Sequence, residues 1–393
     1  MGRNTLLIEP DSGVRAAVKA AAKSERIVLI DMLRGVAMIL MALDHSGAFA
    51  KGGGYVAEGY AGQKPELSSL PHVLTGLVTN VATPIFYLLT GVSVAFFEHS
   101  RRKRGWKEWQ ITRFLLIRAL ILLALDQFLV RFAWNDPPSL DVLSAIAFAL
   151  VVLSVIRLLP LKAVALIGFA VFLGTPFVVQ QIGLSPEQPV PFVLRALFVY
   201  DVASVPWVEF PLLGWPVLTL FGYVIGRLLQ ARRVTISPRL LWVAAASFAL
   251  WFVLRVGGGY GNYLPYHGDW SPIYFFVENK QPPSIVYILF NFAWGVCILV
   301  LLERFQRRFP GSFIEHVLTI FGQTALFFYV AHLLLYSDLV SRVIPPTFLN
   351  GMVAGGLFRS YLEFAVGLVI LYPLCFGYYC LRRAHPDSIL RYL

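Results

Sequence analysis

Three side chains that can carry charge interrupt an apolar segment near the start of the chain. Residues 34–49 read RGVAMILMALDHSGAF, and they place Arg34, Asp44 and His45 in a run that otherwise suits a lipid interior. A charged side chain at the centre of a membrane helix costs at least about 2.5–3.5 kcal/mol, so such residues usually have a functional partner. A neutral imidazole accepts a proton near neutral pH. The pattern therefore indicates acid–base chemistry inside a membrane.

Helical geometry places most polar residues of this segment on one face. At about 100° per residue, Asp31, Arg34, Met38 and His45 fall within about 60° of one another, whereas Asp44 points about 100° away and should serve a different neighbour. The rise of about 1.5 Å per residue separates Arg34 from His45 by about 16 Å. We therefore predict a helix face that runs from an Asp31–Arg34 ion pair at one end to an imidazole at the other.

The next apolar segment carries a second histidine and a row of threonines. His72 lies at its start, and the residues that share its helix face within about 60° are Thr75, Gly76, Thr79, Thr83 and Thr90. This face would suit a narrow polar channel between helices. The alternative is that the hydroxyls bond to their own helix and the small residue permits close helix packing. Because the loop between the segments puts His45 and His72 at the same end, we favour the channel.

Other polar residues in apolar segments are predicted to have structural roles. Arg118 and Asp126 are two helical turns apart, which favours an internal ion pair. Asp141 precedes an apolar run and is predicted to cap its helix. His332 shares a face with two tyrosines, and we interpret it as a hydrogen-bonded core histidine.

The composition places these segments in a membrane protein. The chain has 393 residues, of which 58% are hydrophobic and 14% are charged, whereas soluble domains carry about 25% charged residues. Apolar stretches long enough to cross a bilayer recur along the sequence. We predict an all-α, polytopic transmembrane bundle of about ten spans. The predicted spans are 29–49, 72–97, 114–133, 140–158, 162–181, 207–229, 240–256, 284–303, 315–337 and 360–381.

The positive residues predict how this bundle is oriented. With the N-terminus inside, most of the 33 lysines and arginines fall in the segments that would face the cytoplasm. We therefore expect both termini to be cytoplasmic, residues 1–28 to form a cytoplasmic tail, and 29–393 to form a single transmembrane domain. The net charge of +11 fits anionic lipid headgroups and does not indicate a nucleic-acid partner. Compact loops and the absence of a signal sequence predict a bacterial inner membrane protein.

Two sequence stretches resemble a known family of membrane acyltransferases. RIVLIDMLRGVAMILMALDHSG, followed about 40 residues later by VATPIFYLLTGVSVAFF, resembles the catalytic domain of the heparan-α-glucosaminide N-acetyltransferase family. The positions that carry the resemblance are Arg26, Asp31, Arg34, Gly35, Asp44, His45, Pro84, Phe86 and Gly91. Three later stretches, LDVLSAIAFALVVLS, GWPVLTLFGYVIGRLL and FGQTALFFYVAHLLLY, also resemble helices of the family.

The resemblance implies transfer of an acetyl group from cytoplasmic acetyl-CoA to an amine or hydroxyl across the membrane. In the family, a histidine in the outer loop before the second conserved helix is the proposed base, and His72 matches that position best. Asp44 and His45 stand where that branch has Asn-Tyr, so His45 is a second candidate. The expected catalytic residues are therefore His72, His45 and Asp44. The residues expected to bind the donor are Asp31, Arg34, Thr75, Thr79 and Thr83.

The expected partners follow from this reaction. They are membrane lipids, an acyl-CoA donor, a carbohydrate or glycolipid acceptor and, as a further expectation, a second copy of the chain. No metal is expected, because the Cys and His spacings typical of zinc sites are absent from the sequence. A transporter or flippase of a polar or lipid-linked solute is the alternative function, and a structural membrane subunit is a third.

Overall fold

The computed structural model describes residues 12–49, 54–185, 190–340, 356–386 and 388–392, with side chains from residue 28 onward and without those of 338–340 and 391. These residues are mostly helical and contain few strands, as the sequence predicted. In chain order, the helices are α1 (Ser12–Phe49), α2 (Leu70–Thr79), α3 (Ala82–Lys103), α4 (Glu108–Leu125), α5 (Arg131–Trp134), α6 (Val142–Ile156), α7 (Leu161–Ile182), α8 (Phe192–Phe198), α9 (Pro216–Gln230), α10 (Leu240–Gly257), α11 (Ile285–Arg308), α12 (Phe313–Gln323), α13 (Ala325–Leu334) and α14 (Leu357–Ala384).

Five helical runs among the described residues are long and apolar enough to cross a membrane. They are Leu70–Lys103, which joins α2 to α3, and the helices α7, α10, α11 and α14. The bent pair α12–α13 raises this number to six if it forms one span. Helices α6 and α9 are apolar but have only 15 residues each. Six of the ten predicted spans thus correspond to runs that could cross a membrane, if the bent pair is counted as one, and the number of ten is not confirmed. The apolar helices give the chain the character of a membrane protein.

Three predicted segments differ in detail from the helices that form. The segment 207–229 begins as a strand and a turn, and its helix starts only at Pro216, whose missing N–H suits the first helical turn. The segment 72–97 is interrupted after Thr79, and Tyr287 donates a hydrogen bond to the freed carbonyl of Asn80. The segment 315–337 bends by 86° between α12 and α13 at Thr324.

Paired glycines bring two pairs of helices into backbone contact. A Cβ at Gly35 of α1 would collide with the carbonyl of Leu318 on α12, and one at Gly322 would collide with that of Asp31. Helices α3 and α9 have the same arrangement, through Gly91 against Thr219 and Gly222 against Leu88. Small residues permit this close approach in membrane bundles, where van der Waals packing holds helices together. These contacts fix α1 against α12 and α3 against α9.

The connections at one end of the bundle form a folded cap. Strand β1 (Glu58–Tyr60) pairs in parallel with β4 (Glu278–Gln281), and β2 (Ser139–Leu140) pairs in parallel with β3 (Trp207–Val208). Arg255 at the end of α10 donates hydrogen bonds to the carbonyls of Leu264, Tyr274, Phe275 and Val277. These strand pairs and the hydrogen bonds of Arg255 join the loops into one folded unit.

Candidate functional site

A cavity of about 290 Å³ lies between α1, α3, α4, α6, the α12–α13 bend and α14. We call it the arginine cavity, because Arg34, Arg118 and Arg382 line it and no carboxylate side chain does so among the described residues. Thr83, Thr90 and Ser93 supply further polar groups on the α3 side. Arg118 and Arg382, beside the hydrogen-bonded guanidinium of Arg34, make this cavity suited to an anion.

The hydrogen bonds of Arg34 join three helices at this cavity. Its Nη1 lies 2.9 Å from Oδ1 of Asp31 and 3.0 Å from the carbonyl oxygen of Gly322, and its Nη2 lies 2.7 Å from Oγ of Ser93. Gln323 donates to the second oxygen of Asp31 at 3.0 Å. The predicted Asp31–Arg34 pair is therefore present. It also connects α1 to α3 and to the α12–α13 bend.

Arg118 does not form the predicted ion pair with Asp126. Asp126 instead accepts hydrogen bonds from the backbone and hydroxyl of Ser144 and from the backbone of Asp141. The π-helical turn that begins at Asp126 directs its carboxylate toward the start of α6. Arg118 lines the arginine cavity and has no hydrogen bond or ion pair with any side chain in the described part of the chain. The prediction of an Arg118–Asp126 pair was wrong, and Arg118 is available to a ligand.

A second cavity, of about 480 Å³, lies at the other end of the same helices, beneath the cap. We call it the carboxylate cavity, because its walls include Asp44, Glu58, Asp136, Asp141 and Glu209. His45 and Lys280 also line it, and Nζ of Lys280 is paired with Glu58 at 2.9 Å. The described walls of this cavity therefore carry more acidic than basic side chains, in contrast to those of the arginine cavity.

The two cavities adjoin one another inside the bundle. They share the wall residues Met41, Ala82, Thr83, Val142 and Tyr329. We call this shared section the waist. Arg34 lines the arginine cavity on one side of the waist, and His45 lines the carboxylate cavity on the other. The two residues are about 16 Å apart along the axis of α1. The polar residues of α1 thus face two adjoining cavities, whose walls α6 and α13 complete.

His45 is held by a second histidine that comes from α13. Its Nδ1 lies 2.8 Å from Nε2 of His332, whose Nδ1 lies 3.0 Å from the carbonyl oxygen of Phe328. The two imidazole planes differ by 11°, and Trp134 packs edge-on against His45. His332 has no exposed surface. The prediction of a hydrogen-bonded core histidine agrees with these contacts of His332.

Asp44 borders the same cavity as His45 but contacts a different helix. Oδ1 of Asp44 accepts a hydrogen bond from the hydroxyl of Thr79 at 2.9 Å. Thr79 and Thr83 both line the carboxylate cavity, and Thr83 reaches the waist as well. The threonine face therefore lines the route from Thr79 to Thr90, on both sides of the break between α2 and α3.

His72 and Thr75 lie outside both cavities. His72 Nδ1 is 2.7 Å from the hydroxyl of Ser69, and Thr75 bonds to Pro71 and to Tyr361 of α14. The ring of Tyr55, which does line the carboxylate cavity, lies 6.0 Å from that of His72. His45 and His72 are thus at the same end of the bundle, as predicted, but Tyr55 stands on the cavity side of His72.

Burial alters the protonation of the cap residues around the carboxylate cavity. Desolvation raises the pKa of Glu209 to about 7, and the nearby carboxylates of Asp136 and Asp126 add to the shift. Desolvation also raises the pKa of Asp136. Burial alone would lower the pKa of Lys280, but the carboxylate of Glu58 outweighs it and keeps this pKa well above its usual value. Lys280 is therefore charged, and Glu209 exchanges protons near neutral pH.

Comparison with known proteins agrees with the sequence resemblance. The catalytic-domain profile of heparan-alpha-glucosaminide N-acetyltransferase matches residues 26–256, which is more than half of the chain. The chain belongs to this family. No curated protein matches the chain. Membership of the heparan-alpha-glucosaminide N-acetyltransferase family, together with the apolar helices, makes the protein a membrane acetyltransferase.

Part of the site lies beyond the region that matches the family. Arg34, Asp44, His45 and Arg118 fall within 26–256, but His332 and the α12–α13 bend do not. Sequence reasoning did not connect His332 with His45, which is 287 positions away. The signal was present in the polar face of Tyr329, His332 and Tyr336, but a face alone does not identify the helix it meets. The groups of His, Cys, Asp and Glu in the described residues include none arranged to hold a metal ion.

Proposed function

We propose that this protein transfers an acetyl group from acetyl-CoA, bound in the arginine cavity, to an amine of an acceptor in the carboxylate cavity. The observation that carries this proposal is the waist, where a cavity lined by arginines adjoins one lined mainly by acidic side chains. An anionic donor would suit the arginine cavity and a cationic acceptor the carboxylate cavity. The acetyl group would pass from the donor to the acceptor at the waist. The acceptor would be an amino sugar of a glycan or glycolipid.

The arginine cavity would bind the anionic part of acetyl-CoA. Arg118 and Arg382 have side chains in this cavity, while Arg34 is held in place by Asp31, Gly322 and Ser93. Guanidinium groups bind phosphates through short, charge-assisted hydrogen bonds. The flexible arm of the donor would then extend along Thr90 and Thr83 toward the waist. This arrangement supports assigning Arg34 and Thr83 to donor binding, and it adds Arg118.

The carboxylate cavity favours an amine over a hydroxyl as the acceptor. A protonated amine entering it would find acidic side chains that attract a cation, with Asp44 beside His45, whereas a hydroxyl carries no charge to attract. Asp44 is the carboxylate next to His45 in the chain, and Thr79 fixes one of its oxygens. We assign Asp44 the role of holding the acceptor nitrogen beside His45.

The reaction at the waist would be a direct acyl transfer. The protonated amine first gives one proton to a carboxylate of the cavity wall. The neutral nitrogen that results attacks the thioester carbonyl carbon, and a second proton passes from it to His45 as general base. The carbonyl oxygen becomes an oxyanion, which Lys280 would stabilise by its charge. The carbon–sulfur bond then breaks, the CoA thiolate takes up the proton held by His45, and the acetamide leaves. We propose His45 as this base because it lines the cavity, whereas His72 does not.

The proposal also requires a particular orientation in the membrane. The arginine cavity would face the cytoplasm, where acetyl-CoA is made, and the cap would face outward. The ten-span arrangement with both termini cytoplasmic gives this orientation. A bacterial inner membrane, with anionic lipids around the basic inner segments, would be its setting.

The test is acetyl transfer by the purified protein in lipid nanodiscs. Radiolabelled acetyl-CoA is supplied with a glucosamine-terminated oligosaccharide, and with its N-acetylated form as the matched acceptor that lacks an amine. We expect labelled amide and free CoA only with the amine. His45→Gln should lower kcat by about 10²-fold or more, the contribution of a general base, and His72→Gln by less than tenfold. Loss of activity in His72→Gln alone would reject the assignment of His45. Solute uptake into proteoliposomes without CoA release would indicate a transporter instead.

A further inference from the structure

We propose that His332 is a positioning residue, which fixes the proton of His45 on Nδ1 and leaves the lone pair of Nε2 for the acceptor. This inference rests on the proposed function of His45 as a base. It adds a residue from outside the region that matches the family, and it assigns the atom of His45 that reacts.

The carbonyl of Phe328, at the far end of the hydrogen-bond chain, determines where the hydrogens lie. The carbonyl oxygen of Phe328 can only accept, so Nδ1 of His332, at 3.0 Å, must carry a hydrogen and donate it. In a neutral imidazole one nitrogen donates and the other accepts, so Nε2 of His332 is an acceptor. The group 2.8 Å from this acceptor is Nδ1 of His45, which must therefore be protonated. The remaining nitrogen of His45, Nε2, carries the lone pair.

The surroundings prevent the two rings from exchanging these roles. His332 is fully buried, and its ring is contacted by Phe328, Tyr329 and Tyr336. If His332 carried its hydrogen on Nε2 instead, its Nδ1 would face the carbonyl of Phe328 with no hydrogen between them. Buried polar groups without a partner cost about 1–3 kcal/mol each. The backbone of α13 therefore selects the tautomer of His332, and His332 selects that of His45.

The ring of His45 is also fixed in direction. Trp134 packs against it edge-on at 5.2 Å between ring centroids, and its plane lies within 11° of that of His332. Rotating the imidazole to exchange its nitrogens would break the bond to His332. Without His332, the ring could carry its hydrogen on either nitrogen, and the form with hydrogen on Nε2 could not accept a proton from an acceptor placed there. Orientation of a base by a second group is a general feature of activated catalytic histidines.

The first test measures the tautomer directly and does not depend on activity. Solid-state NMR of the protein labelled with ¹⁵N-histidine distinguishes protonated from unprotonated ring nitrogens, and the spectrum of His45→Gln identifies the signals of His45. We expect hydrogen on Nδ1 of His45 and none on Nε2. Hydrogen on Nε2 of His45 in the wild-type protein would overturn the proposal, whatever the activity. The expected tautomer in a protein that transfers no acetyl group would leave this assignment standing and reject the proposed function.

The second test separates positioning from packing. Gln at position 332 retains an amide oxygen that can accept from His45, so His332→Gln should keep kcat within a few-fold of wild type. His332→Phe fills the space without an acceptor, and kcat should fall between about tenfold and 10²-fold, within the contribution of a general base. KM for both substrates should change less than about twofold. His316→Phe, the same replacement on α12 away from His45, is the matched control.

Two outcomes of the second test would overturn the proposal. One is an unchanged kcat in His332→Phe. The other is an equal loss of kcat in His332→Gln and His332→Phe, because that result would point to ring packing. If His332→Phe does not fold, the His332→Gln variant and the NMR measurement still decide the question.

Discussion

Arg34, on the first helix, donates a hydrogen bond of 3.0 Å to the backbone carbonyl of Gly322, on the last turn of α12. The two residues are 288 positions apart, and their contact connects the opening motif to the bend between α12 and α13. The same arginine lines the arginine cavity. One side chain therefore supports the fold and the proposed donor site, and substitutions can separate these roles.

Arg34→Lys should weaken donor binding more than it changes the fold. Lysine keeps the positive charge, but its single ammonium cannot hold Asp31, Gly322 and Ser93 and also donate to a phosphate, as a guanidinium can. Loss of one charged hydrogen bond, about 1.5–3 kcal/mol, predicts a Kd for CoA at least about tenfold higher by calorimetry. Arg113→Lys, at an exposed position of α4, is the control. Equal CoA affinities in both variants would contradict a role of Arg34 in the donor site.

Gly322→Ala should destabilise the protein by separating two backbones. A Cβ at this position would collide with the carbonyl oxygen of Asp31, which is backbone and cannot rotate away. Overpacking of this kind costs about 1–3 kcal/mol and should lower the thermal midpoint measured by tryptophan fluorescence. Gly174→Ala on α7, where no atom lies within 4 Å of the added methyl, should leave the midpoint unchanged. A Gly322→Ala midpoint equal to that of Gly174→Ala would refute the close packing of α1 against α12.

Arg255→Lys should loosen the cap. The guanidinium of Arg255 donates to four carbonyls of the loop that follows α10, and an ammonium has too few donors in the right directions to replace it. Each buried carbonyl left without a donor costs about 1–3 kcal/mol. We expect faster cleavage of 258–277 by added protease, with Arg239→Lys at the exposed start of α10 as the control. Unchanged cleavage would show that the loop holds its shape without Arg255.

Glu209 should make stability depend on pH in a defined direction. Its pKa rises from 4.5 to about 7 in the folded protein, chiefly through burial and also through Asp136 and Asp126. Between pH 4.5 and about 7, the Glu209 carboxyl has lost its proton in the unfolded chain but keeps it in the folded protein. Raising the pH therefore lowers the free energy of unfolding across this interval. Glu209→Gln should reduce that slope in thermal melts, whereas Asp269→Asn, at an exposed loop position, should preserve it. An undiminished slope in Glu209→Gln would assign the effect to other carboxylates.

Much of this architecture could be predicted because its signals are local. The apolar runs identify the helices, and the Asp31–Arg34 pair follows from a spacing of three residues on one helix. Asp141 caps α6 by accepting from the backbone N–H of Val142 at 2.6 Å, as an aspartate before an apolar run predicts.

The remaining features depend on contacts that no local pattern encodes. The segment 313–337 is apolar on both sides of Thr324, so its hydropathy does not indicate the 86° bend. The partner of His45 comes from a helix 287 positions later. Tyr55 lines the cavity near His72, which does not line it, and Tyr55 comes from a loop whose path the sequence does not give. The spacing of two turns predicts an Arg118–Asp126 pair, but the π-helical turn directs the carboxylate of Asp126 to the backbone of Ser144.

The side chains at the waist would limit the size of the acyl group that can pass it. Met41, Val142 and Tyr329 bring bulky groups to it from three helices, and Ala82 and Thr83 are the small members of its wall. A two-carbon acyl group meets less resistance there than a longer or branched one. A larger side chain at Ala82 would narrow the waist further, whereas a smaller one at Tyr329 would widen it. The helix bundle itself would then select the donor by the length of its acyl group.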